Sequence, residues 1–485
     1  MSTPTLVQAA TFAGTNAASA SVVHIPLPNA SLSGNCLALA VAWATSTGTP
    51  SIAITDDQGT NTWVVGPTDF DATNTYNLST WYALNVTAGT QKITITATGG
   101  TLSYVHPFIR EFYNVATSSA TDSTTAWHTH GTSASWGPGS QTTTVDGDLI
   151  WTVGVDSGGF GPWAAYAASG TGAALVGVDL VQGMADQIQI QTTHGAISPV
   201  ITAAASHPFI ACSIAFKAAT AGTAPTASPR IIHAAWVDYW NTNTSIAQQF
   251  PCLGDTIAIG WVGASSGGSV ISMTGVTDTD GNSYTLTTGV GTNLSGRAQW
   301  AYKQSATPSA TKVVTITTGA ADNLSTAILY DLAATSCIFD PAQNATGNVA
   351  DAADLTSVSF TPTRANGVVL VANGVNNGTV RDATFNDNPW TDTEDGGGSH
   401  FHQDNGWGHY YNPDTSAVAL TWTTSNVGVG DGVADWAAQA IGFSPAAAAT
   451  AAVTGTATAS ITESDIVTGG KTIIITLTGD TWIPA

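Results

Sequence analysis

The sequence repeats itself, and this internal duplication constrains the fold more than any other feature of the chain. Five landmarks recur in the same order in the two halves: residues 36–43 match 254–261, 55–61 match 277–283, 92–96 match 312–317, 147–153 match 367–373, and 212–216 match 440–443. The spacing between matching positions grows only from 218 residues (36 to 254) to 227 residues (216 to 443). Chance similarity would not preserve this order, so we predict two copies of one module of about 215 residues.

The composition of the intervening segments indicates the boundaries of the copies. Residues 218–229 and 445–452 consist of Ala, Thr, Pro, Ser and Gly without charge or periodicity, which is typical of linkers. The sequence therefore predicts module 1 at 1–217, module 2 at 230–444, and a third, shorter piece at 453–485.

The hydrophobic pattern within the modules has a period of two. Segments such as 92–97 (KITITA) and 418–423 (VALTWT) alternate apolar residues with Thr, itself a β-branched strand former. Turn dipeptides such as Asp146-Gly147 separate these runs. Only 9% of the residues are charged, too few to solvate the outer faces of helical bundles. We predict an all-β protein with two tandem jelly-roll-like β-sandwich domains, followed by a partial immunoglobulin-like β module.

The charge balance excludes several classes of partner. The chain carries 10 Lys and Arg against 32 Asp and Glu, so its formal net charge is −22. Because so few cations cannot form a basic surface, we expect no nucleic-acid binding. The longest apolar run, 36–44, is far shorter than the roughly 18 residues that span a bilayer, so no membrane insertion is expected. The first basic residue is Lys92, so no signal peptide is predicted.

Two short motifs resemble known sites but lack their surroundings. Residues 263–267 (GASSG) match the GxSxG string of α/β hydrolases, yet the following residues predict a strand where that chemistry needs a helix. Asp278 and Asp280 resemble the start of a calcium loop, but the later positions do not match an EF-hand. We interpret this segment as a hairpin turn, with a structural calcium site as the alternative. The four cysteines lack CxxC spacing and are expected to be buried free thiols.

Two His-x-His pairs are candidate metal ligands. His128 and His130, like His400 and His402, alternate so that both imidazoles would point to the same side of a strand. A third converging ligand would be needed to hold a transition metal. The two pairs are not at equivalent positions of the modules, so loop histidines without metal are the alternative. No other cofactor is predicted.

The segment 381–414 is the richest in chemistry. It combines aromatic rings with carboxylates, and the candidate ligand-binding residues are Trp390, Trp407, Tyr410, Tyr411, Asp387 and Asp392. Aromatic faces beside carboxylates can hold a sugar. The same aromatic residues are also typical of subunit interfaces. A glycosidase would need two carboxylates at a defined separation, which the sequence does not fix.

The C-terminal piece carries a resemblance. Residues 455–485 (GTATASITESDIVTGGKTIIITLTGDTWIPA) resemble the opening of an immunoglobulin-like module that is common in tailed-phage virion proteins and surface adhesins. The two modules, with their TDxxGN-type turns, resemble β-sandwich modules of phage particles more loosely. Neither resemblance brings catalytic residues.

The resemblance implies a non-enzymatic structural protein of a tailed-phage virion, either decorating the capsid or forming part of a fibre. The expected partners are other virion proteins and further copies of the chain, and the expected location is the particle surface. The alternative is a carbohydrate-binding adhesin or receptor-binding module that uses 381–414, with host-surface glycans as partners.

Overall fold

The computed structural model describes residues 2–13, 21–124, 126–159, 165–226, 229–239, 244–263, 271–291, 297–320, 325–334, 337–349, 354–376, 384–385, 405–423 and 434–445. Every regular element in these ranges is a β-strand, so the predicted all-β class is confirmed. Met1–Ala446 forms one compact unit, and Ala447–Ala485 forms a second. The predicted immunoglobulin-like piece, 453–485, lies outside the described residues.

Module 1 contains fourteen described strands: β1 (Thr5–Ala13), β2 (Val22–Pro26), β3 (Cys36–Asp56), β4 (Trp63–Asp71), β5 (Tyr76–Ala83), β6 (Lys92–Tyr113), β7 (His128–Trp136), β8 (Gln141–Thr142), β9 (Asp148–Asp156), β10 (Ala167–Ser169), β11 (Ala174–Asp179), β12 (Met184–Gln191), β13 (Ala196–Ile197) and β14 (Val200–Phe216).

Module 2 contains fifteen described strands: β15 (Arg230–Tyr239), β16 (Ser245–Gln249), β17 (Thr256–Gly263), β18 (Met273–Asp278), β19 (Thr285–Leu286), β20 (Arg297–Gln304), β21 (Val313–Thr318), β22 (Ser325–Ala333), β23 (Ile338–Val349), β24 (Asp354–Phe360), β25 (Gly367–Asn376), β26 (Thr384–Phe385), β27 (Asn405–Asn412), β28 (Val418–Thr423) and β29 (Ala434–Ser444).

One sheet of eleven strands runs through both modules. Its order is β19-β20-β17-β22-β15-β1-β6-β3-β5-β4, with β2 beside β6. Outward from the centre, β1, β6, β3, β5 and β4 of module 1 correspond to β15, β22, β17, β20 and β19 of module 2. The duplication therefore appears as two mirrored strand orders, joined where the two first strands, β1 and β15, pair in parallel.

Because of the register of the central pair, equivalent faces of the two modules lie on opposite sides of the large sheet. Ala9 and Ala234 occupy equivalent positions in the repeats, yet Ala9 pairs with His233. Because neighbouring residues of a strand face opposite sides, this one-residue offset places equivalent side chains on opposite faces of the sheet. Ala10 and Ala234 accordingly share one core, whereas Ala9 lies in the core on the other face.

Each half of the large sheet is covered on both sides. In module 1 a six-stranded sheet, β10-β14-β9-β12-β11 with β7 beside β14, packs on one face, where Phe108 and Phe112 meet Trp151 and Ile214. In module 2 the corresponding layer is β23-β29-β25-β27, which lies on the opposite face of the large sheet. Burial of such large side chains contributes about 1.5–3 kcal/mol each.

The outer layers explain where the period-two pattern comes from. Module 2 has a three-stranded sheet, β16-β21-β18, in which Val314 and Ile316 are buried while Thr317 is exposed. The central strands behave differently, since every residue of β17 and of β9 is buried. Because these strands are covered on both faces, their sequences contain continuous apolar or small residues and do not alternate.

The segment predicted as the first linker packs against module 1 over its described part. The Asn114 N–H donates to the Ala221 carbonyl, and the Ala219 N–H donates to the Asn114 carbonyl. The Thr223 N–H donates to the Asn35 side chain at 2.7 Å. Residues 218–226, within the predicted linker, therefore pack against the first module.

Candidate functional site

Trp407 of the predicted aromatic site lies in the core of module 2. Its side chain is only 1% exposed, and its ring meets that of Trp300 edge to face at a centroid distance of 6.3 Å. It also lies over Gly260, where an added Cβ would approach the Trp407 ring to 2.5 Å. A ring enclosed in this way offers no free face on which a ligand could stack.

Tyr411 joins the two modules. Its hydroxyl accepts the Ile231 N–H at 3.0 Å and also hydrogen-bonds the side chain of Asn29 in module 1. Burial raises the pKa of Tyr411, so the phenol remains neutral. The neighbouring Tyr410 is half-buried. The sequence analysis offered a subunit interface as one role for these aromatic residues. For Tyr411, the contact found instead joins two modules of the same chain.

The remaining residues of the predicted ligand site and one metal pair lie outside the described residues. They are Trp390, Asp387, Asp392, His400 and His402.

Asp278 and Asp280 surround the ammonium group of Lys312. The Lys312 Nζ lies 3.4 Å from the Asp278 carboxylate and also contacts Asp280. Asp278 accepts hydrogen bonds from the Asn282 N–H at 3.0 Å and from the Tyr284 hydroxyl at 2.9 Å. The lysine thus already supplies positive charge to the two carboxylates that the calcium alternative would use.

The same turn occurs in both repeats. The Gly281 N–H donates to the Asp278 carbonyl, as the Gly59 N–H does to the Asp56 carbonyl, and both glycines have positive φ. In each copy the first aspartate accepts backbone N–H groups through its side chain, which is the mechanism of an Asx turn. These contacts show a turn at each TDxxGN-type motif.

His128 and His130, the other predicted metal pair, flank Asp69. Both side chains come from β7 in the six-stranded sheet, whereas Asp69 lies on β4 at the edge of the large sheet. Each imidazole Nδ1 lies 3.1 Å from the Asp69 carboxylate. Burial would raise the pKa of Asp69, but the nearby His128 and His130 imidazoles and the hydrogen bond from the Phe70 N–H hold it below its ordinary value.

Two further histidine–aspartate contacts belong to the same end of module 1. The His106 Nδ1 on β6 lies 2.8 Å from the Asp179 carboxylate at the end of β11, and both side chains are buried. The His207 Nδ1 lies 3.3 Å from Asp156. Burial raises the pKa of Asp156 to about 6, although the Gly158 N–H and His207 favour its charged form.

We call the group formed by Asp69, Asp156, Asp179 and their histidine partners the His–Asp corner. A further hydrogen bond lies at this corner: Asp71, two residues after Asp69 on β4, accepts the hydroxyl of Ser157, the residue after Asp156, at 2.6 Å. The charges of Asp179 and Asp156, added to burial, raise the pKa of Tyr76. Four of the five histidine–aspartate contacts among the described residues lie here.

The sequence indicated only one part of this corner, the His128–His130 pair. Asp69, Asp156 and Asp179 stand at the ends of strand-like runs, and nothing in the sequence assigns them to particular histidines. Within the described ranges, no group of three or more His, Cys, Asp or Glu side chains is arranged to hold a metal ion.

A pair of buried carboxylates repeats between the modules and was also missed. Glu111 and Asp331 face equivalent positions of β1 and β15. Glu111 accepts the Leu32 N–H at 2.8 Å, and Asp331 accepts the Leu253 N–H at 2.7 Å. Burial raises the pKa of Asp331 to about 7. A charged residue inside an apolar strand was the available signal, since buried charges require partners.

The described part of the chain contains no helix long and apolar enough to cross a membrane. All four cysteines are free thiols; Cys36, Cys212 and Cys252 are buried as predicted, whereas Cys337 is only partly buried. No protein-family model matches the chain, and neither a curated protein nor a solved structure shows detectable similarity to it.

Proposed function

We propose that this chain is a non-enzymatic structural protein of a tailed-phage virion, which decorates the capsid or forms part of a fibre. The observation that carries the proposal is the sheet shared by the two modules. Two copies joined edge to edge make one continuous β body, which suits a protein that presents surfaces more than one that closes around a substrate.

The outer surfaces support the same proposal. Exposed positions of the outer layers are short and uncharged, for example Ser51, Thr55 and Thr98 in module 1 and Thr274 and Thr277 in module 2. Ser51, Thr55 and Thr98 lie on the long strands β3 and β6, and Thr274 and Thr277 lie on β18 of the three-stranded sheet. Such weakly charged faces can be buried against symmetry-related copies at little desolvation cost.

Four of the described acidic residues have contacts that suit a structural role. Glu111, Asp186, Asp278 and Asp331 each accept hydrogen bonds from groups of the fold itself. These hydrogen bonds close turns and join strands. The proposal therefore assigns these four carboxylates a role in the stability of the fold.

The oligomeric state tests the proposal. We expect size-exclusion chromatography with light scattering on the full chain to give a discrete oligomer. A strictly monomeric chain at concentrations up to hundreds of micromolar would overturn the assembly role. A glycan array on the same sample addresses the alternative adhesin: selective binding of one glycan class would favour the adhesin, and absence of binding would support the structural role.

A further inference from the structure

The side chain of Lys312 ends in an enclosed site at the TDxxGN-type turn of module 2. Lys312 immediately precedes β21, and its side chain and that of Asp278 are both 0% exposed, while that of Asp280 is 28% exposed. The Lys312 Nζ lies 3.4 Å from the Asp278 carboxylate and is in direct contact with the Asp280 carboxylate. A buried primary amine therefore touches one carboxylate while a second carboxylate lies beside it.

The turn holds both carboxylates in place relative to the amine. Asp278 accepts the Asp280 N–H at 3.0 Å and the Tyr284 hydroxyl at 2.9 Å. The Thr279 N–H donates to the Val313 carbonyl at 3.1 Å, and the Val313 N–H donates to the Thr279 hydroxyl at the same distance. These bonds tie the turn to the strand that follows the lysine. Groups held in contact in this way can react as if each were present at about 10⁵ M or more.

We propose that Lys312 and Asp280 condense into an intramolecular amide, which covalently joins the start of β21 to the turn after β18. An ammonium and a carboxylate together contain the atoms of one amide and one water molecule. The new bond forms between Nζ and the carboxyl carbon of Asp280, one C–O bond of that carboxylate breaks, and two ammonium protons leave with the oxygen as water. Asp278 relays a proton from Nζ to the departing oxygen. Nothing is oxidised or reduced, and no co-reactant is needed.

The other buried or lysine-containing ion pairs of the described residues lack this combination. The Lys217 Nζ lies 3.9 Å from Asp122, and the lysine side chain is 30% exposed, so water competes for both groups. Arg110 and Asp186 are fully buried, but a guanidinium carries a permanent, delocalised charge and is not a nucleophile. Within the described ranges, only Lys312 brings a primary amine into contact with a carboxylate in an enclosed site.

Module 1 keeps most of this site without the reactive acid. Lys92 and Asp56 stand at the positions of the lysine and of the first aspartate. The acid that would react is replaced by Gln58, whose amide donates to the Gly89 carbonyl at 3.0 Å. We therefore expect no cross-link in module 1, which makes the first copy an internal control for the second.

Mass spectrometry of the denatured full chain tests the bond. We expect wild type to be lighter by one water molecule than the mass calculated from its sequence. Trypsin should leave the chain uncut after Lys312 and should yield residues 231–297 joined to residues 304–364 through the amide. Full sequence mass in wild type, together with cleavage after Lys312, would overturn the proposal.

Three variants assign the cross-link to these residues. Lys312→Arg keeps the positive charge but cannot form the amide, and Asp280→Ala removes the carboxyl carbon, so both should keep the full sequence mass. Lys92→Arg is the matched control and should still lose one water molecule. Loss of water in Lys312→Arg would overturn the assignment. The joined tryptic peptides are read in wild type, so this test does not depend on the folding of any variant.

Asp278→Asn tests the proton relay. The amide keeps an oxygen that accepts the hydrogen bonds of the turn, but it cannot take up and return a proton. In a variant with the circular dichroism of wild type, we expect the cross-link to form at least about a hundredfold more slowly after synthesis, as for the loss of general acid–base catalysis. Formation at the wild-type rate would overturn the role of Asp278.

Discussion

At the scale of single residues, this fold depends on close approaches that leave no room for added atoms. Gly260 is such a position: it lies on β17 beneath the rings of Trp407 and Trp300. An added Cβ would come within 2.5 Å of the Trp407 ring and 2.9 Å of the Trp300 ring. Both indoles are enclosed by the core and cannot move away without disturbing it.

We therefore predict that Gly260→Ala lowers the free energy of unfolding by about 1–3 kcal/mol or more, the range found for overpacked cores. Denaturant titration followed by tryptophan fluorescence measures the change. Gly275→Ala is the control, because its added Cβ would meet only the Thr317 Cβ, at 3.9 Å. Equal effects of the two substitutions would contradict the packing argument.

Asp148 is a second residue whose surroundings determine its behaviour. The residue is fully buried at the start of β9. Burial, together with the hydrogen bond and the charge of Asp122, raises its pKa to about 7. Because the folded-state pKa lies above the unfolded-state value of about 3.9, stability is lost as the pH rises through 7.

Asp148→Asn should remove this dependence, since an amide can donate to Asp122 and does not ionise. We expect the variant to lose less stability than wild type between pH 5 and pH 8, as measured by urea unfolding across that range. Asp146→Asn, two residues away and on an exposed side chain, should leave the pH profile of wild type in place. A profile of Asp148→Asn that follows wild type would contradict the assignment.

At the scale of strands and sheets, the two copies use different chemistry at equivalent places. Arg110 on β6 and Tyr330 on β22 face matching alanines of the first strands. Arg110 forms a two-pronged ion pair with Asp186, at 2.8 and 2.6 Å, and both side chains are fully buried. Tyr330 instead stacks on Trp300 at a centroid distance of 6.3 Å.

Removing one partner of the buried pair should therefore be costly. We predict that Arg110→Met lowers the free energy of unfolding by about 3–5 kcal/mol, because Asp186 would keep an uncompensated charge. The double variant Arg110→Met/Asp186→Leu should recover most of that loss, since module 2 is apolar at the arginine position. Thermal and urea unfolding give both values.

Lys217→Met is the control for charge removal. Its Nζ lies 3.9 Å from Asp122 and its side chain is partly exposed, so we expect a change below about 1 kcal/mol. A double variant no more stable than Arg110→Met would indicate that the cavity, and not the charge, dominates.

The joint between the modules also depends on a polar contact. Tyr411 on β27 accepts the Ile231 N–H from the start of β15. Tyr411→Phe would leave that N–H without its acceptor, which costs about 1–3 kcal/mol when the group is buried. Faster hydrogen exchange at the start of β15 should accompany the loss, while Tyr410→Phe should leave that exchange unchanged. Unaltered exchange in Tyr411→Phe would contradict this role.

At the scale of the whole molecule, the shared sheet joins the two modules into one compact unit. Backbone hydrogen bonds run from β19 to β4 without a break, and each large outer sheet also contacts the other module. One example is the Gln248 side chain of module 2, which donates to the Val178 carbonyl of module 1 at 2.7 Å. Unfolding one module would expose the edge of the other.

We therefore predict one unfolding transition for Met1–Ala446, although tandem modules joined by a linker would give two. Circular dichroism and tryptophan fluorescence should report the same midpoint, which is the usual test of two-state behaviour. Arg110→Met in module 1 and Gly260→Ala in module 2 should each shift that single midpoint. Two resolved transitions, only one of which moves in each variant, would contradict the prediction.

The sequence by itself determined the duplication and the all-β class. Both are recorded in local patterns, namely the repeated landmarks and the alternation of threonine with apolar residues in the outer strands. The TDxxGN-type turns could also be predicted, because an aspartate followed by glycine three residues later closes the turn through its own side chain. The turns and the alternation depend only on residues close together in the chain, and the duplication can be read directly from the repeated landmarks.

The tertiary structure alone decided how the copies meet and what the polar residues do. The parallel pairing of β1 with β15 turns module 2 over, and no local pattern distinguishes that register from one shifted by a single residue. Trp407 and Tyr411 were predicted to bind a ligand or a neighbouring subunit, but packing places Trp407 in a core and Tyr411 at the joint between the modules. Asp69 reaches His128 and His130 only because two sheets close on each other, and such long-range contacts leave no periodic trace in the sequence.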